Sequence, residues 1–154
     1  MFSEDAIKEL EEIRAKYPSA RGALLPAIYI AQREFGHMSP EAYEAVSEAL
    51  GVPKAMVRGI ATFYAMYKHR PMGRHIVQLC TNISCMILGA EKLVDLMKNR
   101  YGLEPGGMTP DGRFSLVIME CIGACGTAPA MLVNDDFYEN LTEQYIEEIL
   151  EKYS

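Results

Sequence analysis

The sequence predicts an α+β protein, with a small helical bundle over residues 1–72 and a mixed four-stranded sheet with helices over residues 73–154. Three observations carry that prediction. Apolar residues recur at helical spacing in four short segments up to about Tyr64. Pro71 and Gly73 then interrupt the chain, and from His75 the pattern becomes strand-like. Beyond that point the order reads strand, helix, strand, strand, strand, helix, and all four cysteines lie there.

The helices come with their own punctuation. Ser3 can cap the first, with Glu4 and Asp5 at its positive end. Ile7, Leu10, Ile13 and Tyr17 form its expected inner face, and Pro18 stops it. The second helix is expected from about Gly22 to Phe35, with Pro26 tolerated in its first turn and Gly36 ending it. Ser39, Pro40 and Glu41 mark the start of the third, and Gly51 its end; Tyr43, Val46 and Leu50 form its stripe. The fourth begins near Pro53 and faces inward with Met56, Val57, Ile60 and Tyr64. Four short amphipathic helices with short connections make a bundle. It carries no cysteine and no cluster of histidines or carboxylates, so packing and docking are its expected roles.

In the second half, His75–Leu79 reads as a strand running into Cys80. One helix is expected from Cys85 to Tyr101, with Ile87, Ala90, Val94 and Met97 on its inner side and Gly102 closing it. Arg113–Glu120 is rich in β-formers and runs into Cys121. A short strand follows Pro129, Asn134 to Asp136 turn the chain, and Phe137–Glu139 pairs back. Thr142 caps a last helix whose face is Tyr145, Ile146, Ile149 and Leu150.

The totals exclude some functions. At 154 residues and 49% hydrophobic content the chain can bury a core without disulfide staples. A net charge of −6, with no dense basic stripe, argues against nucleic acid as a partner. The acidic, amphipathic start lacks the features of a secretory signal, and no run of apolar residues suits direct membrane insertion. A cytoplasmic location is expected, where clustered cysteines serve metal or redox chemistry more often than disulfides.

Element order brings the cysteines together. A helical crossover returns the second strand parallel to the first, and parallel neighbours end at the same sheet edge. Cys80 and Cys85 have four residues between them, and Cys121 and Cys125 have three. Two loops, each with two thiols, therefore meet. The spacings suit a structural zinc site, and also a 2Fe-2S cluster in which one pair serves each iron, with single-iron and 4Fe-4S sites as further alternatives. Spacing and compartment favour iron–sulfur, with zinc, and disulfide or free thiols, as alternatives. Gly123, between the last two cysteines, lets backbone N–H groups approach sulfur. Ile83, Met86, Ile122 and Ala124 supply apolar surroundings, and Thr81 and Ser84 are possible donors.

With these residues in view, the chain resembles the thioredoxin-like 2Fe-2S ferredoxins, within them the E subunit family of bacterial NADH-quinone oxidoreductase (complex I). The resemblance spans nearly the whole chain. It rests on G-I-A-T-F-Y, C-T-N-I-S-C, T-P-D-G-R-F, E-C-I-G-A-C-G-T-A-P and V-N-D-D. It implies a thioredoxin-like ferredoxin domain over 73–154, with one 2Fe-2S cluster on Cys80, Cys85, Cys121 and Cys125 as metal and cofactor ligands. It also implies partners: a flavin-bearing subunit that holds the FMN and NADH, and further iron–sulfur subunits. Through that complex the chain would attach to the inner face of the membrane. Related chains serve NADH-linked hydrogenases and formate dehydrogenases, and the motifs do not separate these assemblies. A zinc-stabilised interaction module is the alternative of a different class.

Nothing else in the sequence competes as a site. No G-x-G-x-x-G turn and no P-loop is present, so the chain is expected to carry no NADH site and no catalytic residue of its own. His37, His69 and His75 are scattered, Asp135 and Asp136 read as a turn, and the methionines read as core filler.

Overall fold

The computed structural model describes residues 2–153 and divides into two compact units, Met1–Pro71 and Met72–Ser154.

The first unit is built from α1 (Glu4–Ala15), α2 (Leu24–Phe35), α3 (Pro40–Leu50) and α4 (Lys54–Phe63). The Ser3 and Ser39 hydroxyls accept from the amides of Ala6 and Ala42, satisfying N–H groups that a helix start leaves without partners. Gly51 ends α3 in the left-handed conformation, at φ +64°. The apolar α2 is the central helix. It packs against α1, α3 and α4, and its Leu24, Ala27, Ile28 and Ala31 are fully buried.

Three expectations for this bundle change. The inner face of α1 is Ala6 and Leu10, while Ile7 and Tyr17 are exposed and the helix ends at Ala15, before Pro18. Helix α2 begins at Leu24 rather than Gly22, which puts Pro26 third in the helix, where no intrahelical donor is lost. In α4 the buried positions are Val57 and Ala61, whereas Tyr64 is exposed and caps the end.

The second unit runs β1 (His75–Cys80), α5 (Ile83–Ile87), α6 (Ala90–Tyr101), β2 (Phe114–Met119), a 3-10 turn (Cys125–Thr127), β3 (Met131–Val133), β4 (Asp136–Tyr138) and α7 (Glu143–Lys152). Its sheet has the order β2-β1-β3-β4, with β1 parallel to β2 and the other pairs antiparallel. The core is formed by Val77, Leu79, Leu116, Met131 and Val133 of the sheet, with Leu93 and Met97 of α6 and Ile146, Ile149 and Leu150 of α7.

The single helix expected over 85–101 is two. Leu88 ends α5, and Gly89 at φ +98° restarts the chain as α6. Residues on either side of that break no longer share a face, so Ile87 is 74% exposed and Leu93 is buried. Strand β4 takes in Asp136, because Asn134 at φ +56° tightens the turn by one position.

Candidate metal centre

Strand β1 ends in Cys80, which lies opposite Met119, the last residue of parallel β2. The two strands therefore deliver their following loops to one edge. Thr81 N–H donates to Met119 O at 3.3 Å, and Cys80 N–H donates to Ala130 O at 3.1 Å. These bonds fix the start of the first loop between β2 and the chain that enters β3.

Each thiol is placed by local structure. The Asn82 side chain caps α5 by accepting from Ile83 N–H at 2.7 Å, and α5 turns Cys85 inward. Cys80 and Cys85 are buried with Ala90, under Ile122 and Ala128. Cys121 follows β2 with Glu120 between, Cys125 opens the 3-10 turn, and both are exposed. All four cysteines are free. The peptide bond from Ala128 to Pro129, on which the sequence is silent, is cis.

Backbone amides surround the sulfurs. Gly123 N–H points at Cys121 Sγ, 3.3 Å away. Gly123 sits at φ +80° with open space where a Cβ would go, so backbone conformation rather than room calls for glycine. Burial pushes the Cys80 thiol up, but the amides of Asn82 and Ile122, with the thiols of Cys85 and Cys121, bring it below its ordinary value. Burial and the adjacent Cys80 push Cys85 up, against the opposing effect of the Ala130 amide. The Cys85 and Cys121 thiols thus lie beside Cys80. It is amides, more than the hydroxyls of Thr81 and Ser84, that address the sulfurs. Gly123 signals one such donor in the sequence, whereas the amides of Asn82 and Ile122 carry no side-chain signal.

The other residues singled out in the sequence stand apart from the thiols. His69 Nδ1 pairs with Tyr43 OH at 2.9 Å, and His75 Nδ1 with Asn134 Nδ2 at 3.2 Å. Asp136 accepts from Tyr153 OH at 2.6 Å, a bond that ties β4 to the end of α7.

Four free thiols on the loops that follow a parallel strand pair, on a mixed sheet backed by helices, define a candidate thiolate metal centre. The chain belongs to the thioredoxin-like [2Fe-2S] ferredoxin family, which matches residues 10–154. It is 42% identical over 146 residues to an E-type subunit of NADH-quinone oxidoreductase from Rhizobium meliloti, covering 95% of this chain and 87% of that one. It is 40% identical over 152 residues to NADH-quinone oxidoreductase subunit 2 of Thermus thermophilus, covering 97% and 84%. Among solved structures, an NAD+-reducing [NiFe]-hydrogenase in the H2-reduced state shares the fold, with a TM-score of 0.74 at 24% identity. That match covers 89% of this chain and 23% of the hydrogenase chain. No helix among the described residues is long and apolar enough to cross a membrane.

Proposed function

We propose that this chain is the electron-transfer subunit of an NADH-quinone oxidoreductase, holding one 2Fe-2S cluster on Cys80, Cys85, Cys121 and Cys125. The observation that carries this reading is the delivery of four free thiols to the end of a parallel strand pair, in a chain 42% identical to a subunit of such a complex.

The donor set fits that group. A two-iron cluster takes two thiolates on each iron, and the thiols come as one pair per loop. Bound here, a 2Fe-2S cluster supplies one-electron transfer.

The chain's own residues do the rest. Amides of Asn82, Ile122 and Gly123 offset negative charge on sulfur. Ile122 and Ala128 cover the inner pair. Cys121 and Cys125 lie at the surface, where an electron partner must approach. In this reading residues 73–154 carry the redox site and residues 1–72 serve for docking.

The partners are a flavin-bearing subunit that holds FMN and NADH, and further iron–sulfur subunits. The assembly stands at the cytoplasmic face of the membrane. The test is anaerobic purification of the tagged chain from native extract. NADH-quinone oxidoreductase subunits should accompany it, and NADH should reduce the purified assembly. Hydrogenase or formate dehydrogenase subunits in their place would overturn the assignment.

A further inference from the structure

The helical unit carries a groove of about 610 Å³ between α1 and α3. Each flanking helix contributes a stripe at helical spacing. Ile7, Leu10, Ala45 and Ala49, with Phe2 just before α1, make the apolar floor. Ile7 is 47% exposed, an unusual position for an isoleucine that the α1 pattern would place inside. Glu11 on α1, with Glu41, Glu44 and Glu48 on α3, forms an acidic rim. Glu44 is paired with Lys54 at 2.7 Å, whereas Glu11, Glu41 and Glu48 have no ion pair among the described residues. Among the described residues Arg14 is the groove's one cation, and its guanidinium is tied to Leu50 O at 3.0 Å.

We propose that this groove receives a basic amphipathic helix from another subunit of the assembly. Two helices side by side form the kind of trough into which a third helix lays an apolar face. The floor suits an apolar face. The rim selects for lysine or arginine on both flanks of the incoming helix, and it repels acidic segments. The stripes span Ile7 to Arg14 and Glu41 to Ala49, which suits an occupant of about two to three turns at ~1.5 Å per residue.

This inference rests on the chain being a subunit of a larger assembly. A photoreactive benzoylphenylalanine is placed at Ala49, which is exposed, and cross-linked within the purified complex. The captured peptide should come from another subunit and carry Lys or Arg flanking an apolar stripe. A peptide of this chain, an acidic or uncharged peptide, or no cross-link in an intact complex overturns the proposal. Charge reversal by Glu11→Lys with Glu48→Lys should lower cross-linking at least tenfold and leave cluster content unchanged. Undiminished cross-linking in that double variant also overturns it. If no complex forms around the parent chain, the assignment as a subunit fails first, so the two failures are separable.

Discussion

Replacing Gly73 with alanine probes the strand pair that carries the thiols. Gly73 is buried, and a Cβ there would lie 2.7 Å from the carbonyl carbon of Phe114 and 2.9 Å from its oxygen. Those atoms are backbone at the start of β2, so no side chain can swing aside. Overpacking of this kind costs about 1–3 kcal/mol. The same shift stretches the 2.8 Å bond from Gly73 N–H to the buried Ser115 Oγ. Leaving such a pair unsatisfied costs about 1–3 kcal/mol more. Alanine returns up to about 1 kcal/mol by stiffening the unfolded chain. The net expectation is a loss of about 3 kcal/mol, or roughly a hundredfold in the opening equilibrium. Hydrogen exchange of the β1 amides should accelerate by that factor. The thiols begin about seven residues further along, at about 3.3 Å each, so the folded fraction should keep the parent absorption spectrum. Exchange in Gly73→Ala within about twofold of the parent would refute the packing argument.

Two further outcomes are expected. Gly59 lies inside α4, is exposed, has an ordinary φ and has open space where a Cβ would go. Gly59→Ala should therefore stabilise the helical unit by about 0.5–1 kcal/mol, read by urea unfolding of the helical signal, and a destabilised variant would contradict this. The Asp111 carboxylate accepts from Thr109 OH at 2.6 Å and Arg113 N–H at 3.0 Å, which hold its pKa below the ordinary carboxylate range. The turn should then be fully supported above about pH 4, the unfolded value, and lose that support as pH falls through the lower folded value. Carboxyl-carbon NMR titration of Asp111 should show the lowered midpoint. Asp111→Asn should remove this part of the pH dependence of amide exchange at Phe114, and an unchanged profile would count against it.

Much of the fold is legible in the sequence because its signals are local. Ser39 and Thr142 announce helices by chemistry that needs no tertiary context, and both act as caps, Thr142 accepting from Tyr145 N–H at 3.1 Å. The parallel pairing of the first two strands follows from the helical crossover between them, and it brings Cys80 and Met119 to the same edge. The break at Leu88–Gly89 is hidden because apolar residues run through it without a change of period. The exposure of Ile7 is hidden for a different reason. Periodicity identifies an apolar stripe but not how far the partner helix covers it, and α3 leaves a groove on that side of α1. At the thiol site the ligand types and spacing are legible. The amides of Asn82, Ile122 and Gly123 are less so, because nearly every residue has one and only the folded loop aims it.

The central claim is that Cys80, Cys85, Cys121 and Cys125 hold a two-iron cluster. Metal and acid-labile sulfide are measured together on anaerobically purified protein, for the parent and for each single Cys→Ala variant. About two irons and two sulfides per chain are expected, with a red-brown colour that bleaches on reduction and a rhombic paramagnetic signal afterwards. Each alanine variant should lose most of both elements while the helical unit stays folded. One zinc per chain with no sulfide, or full cluster content in Cys121→Ala, would contradict the account.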